Sequence, residues 1–342
     1  MSLLVKTIKK LNFEKTPIWL MRQAGRYLPE YNKIRSKAGS FLDLCNNSDL
    51  SAEITLQPLK RFDLDAAIIF SDILTIPQAL GAEVSFIENI GPIIKFDYME
   101  EKIEGLFDHI DQTNLSPTYD TIKKVREKLA KEKALIGFTG APWTLAAYMV
   151  EGKSSKDFNK VRNFSYKEPK KFNLLIKNIE KTVVHHLKNQ ISSGADVVQI
   201  FDSHAGFAEH ELFKKFCIDP VRRIVNEVKS FSPNTPIICF PRGAGAKYLD
   251  FVKHVDLDVI SVDYTVDPLW ALKNLQKHAI IQGNLDPVIL QAGGAEMNTT
   301  VNALLKIFNK KPHIFNLGHG ILPDTPLKNV KELINLVHAV KT

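Results

Sequence analysis

Two arginines, Arg22 and Arg26, stand four residues apart on either side of the turn glycine Gly25, directly after the apolar run 17–21, Pro-Ile-Trp-Leu-Met. A guanidinium keeps its proton at any physiological pH and offers a planar fork of donors that matches a carboxylate or phosphate, so the pair suits a multiply anionic ligand; pairing with acidic residues of the fold is the competing use. Polar residues follow other short apolar runs in the same way. Ser71 and Asp72 come after one, and Gly140, Pro142, Trp143 and then Tyr148 after another. Asp202, Ser203 and His204, then Arg242 and Gly243, then Asp263 and Tyr264, then Gly283 and Asn284, and finally Gly318, His319 and Gly320 complete the series. Asp72 is either a salt-bridge partner for the arginines or an acceptor for a ligand's N–H groups that offsets positive charge developing in a reaction. Tyr148 and Ser203 are neutral donors, and His319, set between two glycines, can come close to a ligand. Asp202, His204 and His210 form no compact metal-ligand motif. Gly243-Ala244-Gly245 is too short for a dinucleotide fingerprint and no phosphate-cradling Gly-x-x-x-x-Gly-Lys motif is present, so no nucleotide cofactor is indicated.

The apolar runs themselves are 17–21, 65–70, 134–138, 196–201, 236–240, 258–262, 279–282 and 313–317. Segments of helical periodicity lie between and after them, at 51–61, 121–131, 173–193, 209–230, 268–278, 298–309 and 327–341. Strands that alternate with helices pair in parallel, and near-continuous apolar runs such as 66–70 fit strands covered on both faces. Eight such units in one chain favour a closed (β/α)8 barrel, a TIM-type barrel, over an open doubly wound sheet. No linker or low-complexity stretch divides residues 1–342, so one catalytic domain is expected. Residues 83–98, with Val84-Ser85-Phe86 and Ile93-Ile94-Lys95-Phe96 flanking Asn89-Ile90-Gly91-Pro92, read as a β-hairpin inserted after the second strand, and 27–47 as a long insertion after the first. In a barrel of this kind the site lies at the C-terminal ends of the strands, which is where the polar residues above fall.

The composition is that of a globular protein, with 44% hydrophobic and 24% charged residues. The net charge of +7 is carried by the first 37 residues, where nine lysines and arginines face two glutamates. The remaining lysines sit in mixed-sign segments such as Lys123-Lys124-Val125-Arg126-Glu127-Lys128, which read as solvated faces and not as a nucleic-acid surface. Cys45, Cys217 and Cys239 are widely spaced and lie in or beside apolar segments, which fits a reducing compartment. No signal peptide or membrane span is legible, so a cytoplasmic protein is expected.

Residues 17–31, from Pro17 through Arg22-Gln23-Ala24-Gly25-Arg26 to Tyr31, resemble the N-terminal signature of the uroporphyrinogen decarboxylase family. Residues 137–152, Gly-Phe-Thr-Gly-Ala-Pro-Trp-Thr-Leu-Ala-Ala-Tyr-Met-Val-Glu-Gly, are similar to its second signature, and 69–74, 201–206 and 316–320 to further blocks. The resemblance implies a cofactor-free, homodimeric (β/α)8 enzyme of haem and porphyrin biosynthesis. Such an enzyme removes CO2 from the four acetate arms of uroporphyrinogen III to give coproporphyrinogen III. It also implies a substrate-binding set of Arg22, Gln23, Ala24, Gly25, Arg26, Phe41, Asp72, Tyr148, Ser203 and His319, with Asp72, Arg22 and Arg26 closest to catalysis. The substrate is its own electron sink in this scheme: protonating the pyrrole makes an iminium-like ring that draws electrons from the breaking C–C bond, with Asp72 steadying the cation. A positive N-terminal segment around the cleft would attract the eight carboxylates, and Phe41 and Trp143 would form an apolar floor. The rivals are a corrinoid or thiol methyltransferase with a zinc-bound thiolate, a non-catalytic tetrapyrrole binder, and a nucleic-acid binder.

Overall fold

The computed structural model describes residues 1–11, 15–87, 90–99, 103–309 and 311–340. Seven strands pair in parallel: β1 (Ala66–Ile68), β4 (Ala134–Gly140), β5 (Val197–Asp202), β6 (Ile237–Pro241), β7 (Val259–Ser261), β8 (Ile280–Gln282) and β9 (His313–Ile314), in that spatial order. Between the first two of these lies an antiparallel pair, β2 (Glu83–Ile87) and β3 (Gly91–Lys95). These are the second to eighth strands and the inserted hairpin expected from the sequence, while the hairpin's Asn89 falls outside the described residues.

The first apolar run closes the cylinder, though not as a regular ladder strand. Ile18 bridges Phe315 in parallel on one side, and the Phe315 N–H donates to the Pro17 carbonyl at 2.8 Å. On the other side the Asp65 N–H donates to the Ile18 carbonyl at 2.9 Å. Pro17 has no N–H to offer. The Ile18, Leu20 and Met21 N–H groups donate to side chains, namely Asp65 Oδ2 at 2.8 Å, Gln23 Oε1 at 3.0 Å and Asn316 Oδ1 at 3.0 Å. Borrowed acceptors satisfy a buried backbone that the ladder leaves unpaired, and they fix the chain direction just where Arg22 begins.

Outside the cylinder stand the helices Ser48–Arg61, Ser116–Lys128, Pro169–Ser192, Asp219–Phe231, Tyr248–His254, Pro268–Asn274, Gly294–Ile307 and Leu327–Ala339, one after each barrel strand. Several begin earlier than apolar periodicity implies, because caps and proline set the start. Asn47 accepts from the Asp49 and Leu50 N–H groups, and Pro169 occupies the first turn of its helix. The helix expected over 209–230 is broken into a short turn His210–Leu212, a π-helical turn Phe213–Ile218, and Asp219–Phe231. Pro220 lies at that junction, where a missing N–H interrupts the i→i−4 ladder. The expected end of the last helix at Lys341 lies outside the described residues.

Side chains alternate along each strand between two cores. Trp19, Ala66, Ala134, Ile136, Val197, Ile238, Val259, Ile280 and Ile314 fill the cylinder, while Ile18, Val198, Ile200, Ile237, Cys239, Ile260 and Ile281 pack under the helices. A polar layer crosses the interior: the Trp19 indole donates to Gln282 Oε1 at 2.9 Å, and the Gln282 amide reaches Gln199 and Ser261. The N-terminal helix Leu3–Ile8 packs Leu4, Val5 and Ile8 against the first residues of the strands and plugs that end. Lys6, Lys9 and Lys10 therefore belong to the end away from the strand C-termini, which corrects the expectation that the whole positive segment surrounds the cleft.

Candidate active site

The turn that presents the arginines is tightly specified. Arg22 takes a left-handed backbone with φ of 61°, a conformation that costs a non-glycine residue roughly 1 kcal/mol or more. A Cβ at Gly25 would stand 2.9 Å from the Arg22 carbonyl oxygen, so the chain can double back only with glycine there. Gln23 is fully buried; its Oε1 accepts from Leu20 and its amide donates to the Ala66 carbonyl at 2.9 Å. Both ends of that side chain are thus spent on holding the turn against β1, and Ala24 and Gly25 are partly buried beside it.

Arg22 projects into a cleft, more than a third open yet walled closely enough that burial lowers its pKa; Tyr148 and Asp72 oppose the shift while Arg26 and Arg242 add to it. A Cβ on Gly320 would fall 2.3 Å from Arg22 Cδ, so the loop after β9 lies flat against this side chain. That contact sets His319 beside Arg22. The Gly320 N–H donates to His319 Nδ1, leaving the proton of the neutral ring on Nε2. Burial and the charges of Arg242 and Arg22 push the His319 pKa down to about 4, with Asp263 opposing, so the ring is a neutral donor at physiological pH.

Asp72 follows β1. The Leu74 N–H donates to its Oδ1 at 2.7 Å, and Thr75 Oγ1 donates to its carbonyl at 3.0 Å. Among the described residues no donor reaches Oδ2, and no cation stands within ion-pair distance. The side chain lies deep in the molecule but retains some open surface toward the cleft. Burial raises its pKa to about 6 against the pull of the Leu74 N–H and of Arg22. The acid and the guanidinium share one rim and feel each other without touching.

Tyr148 lies on the helix Pro142–Glu151, not assigned from the sequence, whose run Pro-Trp-Thr-Leu-Ala-Ala is buried throughout and lacks an amphipathic period. Its ring packs edge-on against His204 with centroids 4.9 Å apart. Burial and the charge of Asp72 raise its pKa while Arg22 lowers it, so its hydroxyl keeps its proton. Ser203 continues the inward set of β5 after Val197, Gln199 and Phe201, and is partly exposed. Behind it the buried Asp202 accepts from Thr144 Oγ1 at 2.5 Å, and that hydroxyl in turn accepts from the His204 N–H at 3.0 Å. This chain pins the loop that carries Ser203.

The apolar surfaces differ from expectation in one place. Phe41 is partly exposed and packs edge-on with Phe86 of β2 and with Phe70, at 4.8 and 5.9 Å, so the hairpin and the first insertion form one wall. Trp143 has no exposed surface: it is wedged between Phe172 and Phe216, and its indole donates to the His204 carbonyl at 3.0 Å. It cannot be a floor. Of the inward apolar residues at the strand ends, Phe138 and Phe201 keep exposed surface while Met21 and Phe240 are buried beneath them, and the three rings meet edge to face.

Nine arginines are present in the chain. Six donate to a protein acceptor: Arg35 to Gly39, Arg61 to Glu30, Arg126 to Asp196, Arg162 to Asn159, Arg222 to Asp219 and Arg223 to Glu180. The guanidinium groups of Arg22, Arg26 and Arg242 have no such partner among the described residues. Among the described residues, too, no group of three His, Cys, Asp or Glu side chains is arranged to hold a metal ion.

The model of the family described as uroporphyrinogen decarboxylase (URO-D) matches residues 1–340. Among curated proteins the chain is 46% identical to a uroporphyrinogen decarboxylase of Rickettsia bellii, covering 98% of each chain. It is 47% identical to one of Mesorhizobium japonicum over 94% of each, and 46% identical to one of Wolbachia pipientis over 94% of each. Among solved structures, a methyltransferase from Methanosarcina mazei superposes with a TM-score of 0.78 over 98% of this chain and 96% of its own, at 18% identity, a likeness of fold. A family model matched over residues 1–340, with relatives 46–47% identical over nearly their whole length, leaves one conclusion: the chain belongs to the uroporphyrinogen decarboxylase family.

Proposed function

We propose that this protein decarboxylates the acetate arms of uroporphyrinogen, turning each into a methyl group until coproporphyrinogen is formed. The observation that carries the reading is the pairing of unlike demands in one cleft. Arg22 and Arg26 are kept free of protein carboxylates while Asp72 offers an oxygen that no protein donor takes. A ligand with carboxylates at its edge and N–H groups at its centre meets both.

In this reading Asp72 accepts from the pyrrole N–H groups at the centre of the macrocycle, and Arg22 and Arg26 take carboxylates at its edge. A proton adds to the ring carbon next to the one that bears the acetate, and the positive charge spreads to the pyrrole nitrogen. The bond from the acetate CH2 to its carboxylate then breaks. Its electron pair forms an exocyclic methylene and neutralises the nitrogen, and CO2 departs. A proton added to the methylene and one lost from the ring carbon restore the aromatic pyrrole, so each arm consumes one proton and releases one CO2. The pyrrole is the electron sink, so no cofactor enters the scheme.

Asp72 gains most where the charge is greatest, which is the condition for lowering a barrier and not merely binding substrate. The neutral Nε2–H of His319 and the hydroxyls of Tyr148 and Ser203 orient carboxylates without adding charge. Gln23, with both amide ends occupied, contributes through the turn it holds.

The reading takes residues 1–342 as one catalytic domain, a homodimer in the cytoplasm, acting on a small molecule and not on nucleic acid. Among the described residues no helix is long and apolar enough to cross a membrane, and all three cysteines are free and buried. A zinc-thiolate methyltransferase would need a cysteine opening on the cleft beside further ligands, whereas Cys217 and Cys239 are buried at 0% and 1% exposure.

The test is anaerobic incubation of the purified protein with uroporphyrinogen, following CO2 and the porphyrinogens of seven to four carboxylates. Folded protein that binds the substrate and releases no CO2 leaves only a binder.

A further inference from the structure

Arg242 lies across the cavity from Arg22. In a closed ring of eight strands the run 17–21 is the first and β6 the fifth, so the two are diametrically opposed. Arg242 continues the inward set of β6 after Ile238 and Phe240. Its backbone is clamped: the N–H donates to the Asp202 carbonyl at 3.1 Å, and its carbonyl accepts from the Gly206 N–H at 3.0 Å. A Cβ on Gly206 would stand 2.8 Å from the Gly243 carbonyl oxygen, so the two loops press together at this point.

The nearby carboxylate is already taken. Asp263 Oδ2 accepts from the Gly243 N–H at 2.8 Å and the Tyr248 hydroxyl at 3.0 Å, and its Oδ1 accepts from the Thr265 N–H and hydroxyl. The Arg242 guanidinium is therefore a partly buried cation with a rigid base and no protein acceptor among the described residues. Its inward register on β6 directs it to the cavity of the proposed substrate, and its charge is felt there by Arg22, His204 and His319.

We propose that Arg242 binds a propionate carboxylate of the substrate, on the far side of the macrocycle from the arm being cleaved. The inference rests on the function proposed above. Among the two kinds of arm, the propionate is chosen because it persists. An arginine that served an acetate would face a methyl group in later steps and stand uncompensated in a half-buried cavity, whereas every pyrrole keeps its propionate through all four.

The experiment compares wild type, Arg242→Gln and Arg242→Lys with two substrates, the octacarboxylate uroporphyrinogen and the pentacarboxylate intermediate that keeps one acetate. Removing a charge-assisted bidentate bond should raise KM about tenfold to a hundredfold. The expected result is that Arg242→Gln raises KM by the same factor for both substrates with kcat within about threefold, and that lysine recovers part of the loss. Circular dichroism and urea unfolding of the variants report the fold. An unchanged KM overturns the proposal. So does a rise confined to the octacarboxylate, which would assign the arginine to an acetate, and so does a fall in kcat without a rise in KM. Wild type without decarboxylase activity would instead sink the proposed function itself.

Discussion

Replacing Asp72 by asparagine separates what this carboxylate does for the reaction from what it costs the fold. Raising its pKa from 3.8 to about 6 makes the ionised form unfavourable in the folded protein by about 3 kcal/mol, at about 1.4 kcal/mol for each tenfold in the proton equilibrium. Part of the side chain is open to the cleft, where solvent screens the penalty, so about 1–3 kcal/mol is the working range. Asparagine keeps an Oδ1 for the Leu74 N–H and removes the charge. The variant without substrate should therefore be the more stable protein by about that amount at neutral pH.

The sign has a pH signature. Below pH 3.8 the wild-type group is neutral in both the folded and unfolded states, and the gap is absent. As pH rises toward about 6 the unfolded chain ionises first, the folded wild type loses stability relative to the variant, and above about 6 the gap is constant. Urea unfolding from pH 4 to 8 reads the gap, and initial CO2 release reads turnover, which should fall about 10²- to 10³-fold for a lost electrostatic stabiliser. Turnover within threefold of wild type, or a stability gap that does not change between pH 4 and 7, would refute the argument.

The same carboxyl should give kcat/KM an acid limb near pH 6, since the ionised form is the active one. His319, already neutral above about 4, adds no limb between 5 and 8, and a profile of initial rates that is flat down to pH 5 would contradict this. Arg26→Ala should raise KM about tenfold or more while kcat changes little, measured by steady-state kinetics. Gly320→Ala places a methyl 2.3 Å from Arg22 Cδ; Gly320 is not in the left-handed region, so urea unfolding should change by less than about 1 kcal/mol while activity falls at least tenfold. Thr144→Val removes the donor to the buried Asp202 and the acceptor for His204, and should cost about 1–3 kcal/mol in urea unfolding for a buried polar group left unpaired.

What was readable without coordinates was whatever is written locally. Strands covered on both faces must be apolar throughout, so 134–138 or 236–240 announce themselves, and the order of eight such runs implies the cylinder. The residues just past each run then belong to one rim, which put Arg22, Asp72, Ser203 and His319 together before any distance was known. Element edges were less legible, because they depend on caps such as Asn47 and on Pro220 within a helix more than on periodicity. The helix of Tyr148 was illegible because every residue of it except Tyr148 is buried, which leaves no amphipathic period.

Which polar groups are spoken for is a property of the folded chain alone. Gln23 and Arg22 are neighbours in sequence, yet one spends its amide on Ala66 and Leu20 while the other has no protein acceptor. Trp143 reads like a pocket residue and is sealed between two phenylalanines. Arg242 stands in sequence at a strand end like Arg22, but that its guanidinium has no protein acceptor among the described residues, unlike those of six other arginines, is decided by the fold. Residue type determines what a group can donate or accept. Whether that capacity is left over for a ligand is settled by which distant segments the barrel brings against it, and there the sequence by itself is silent.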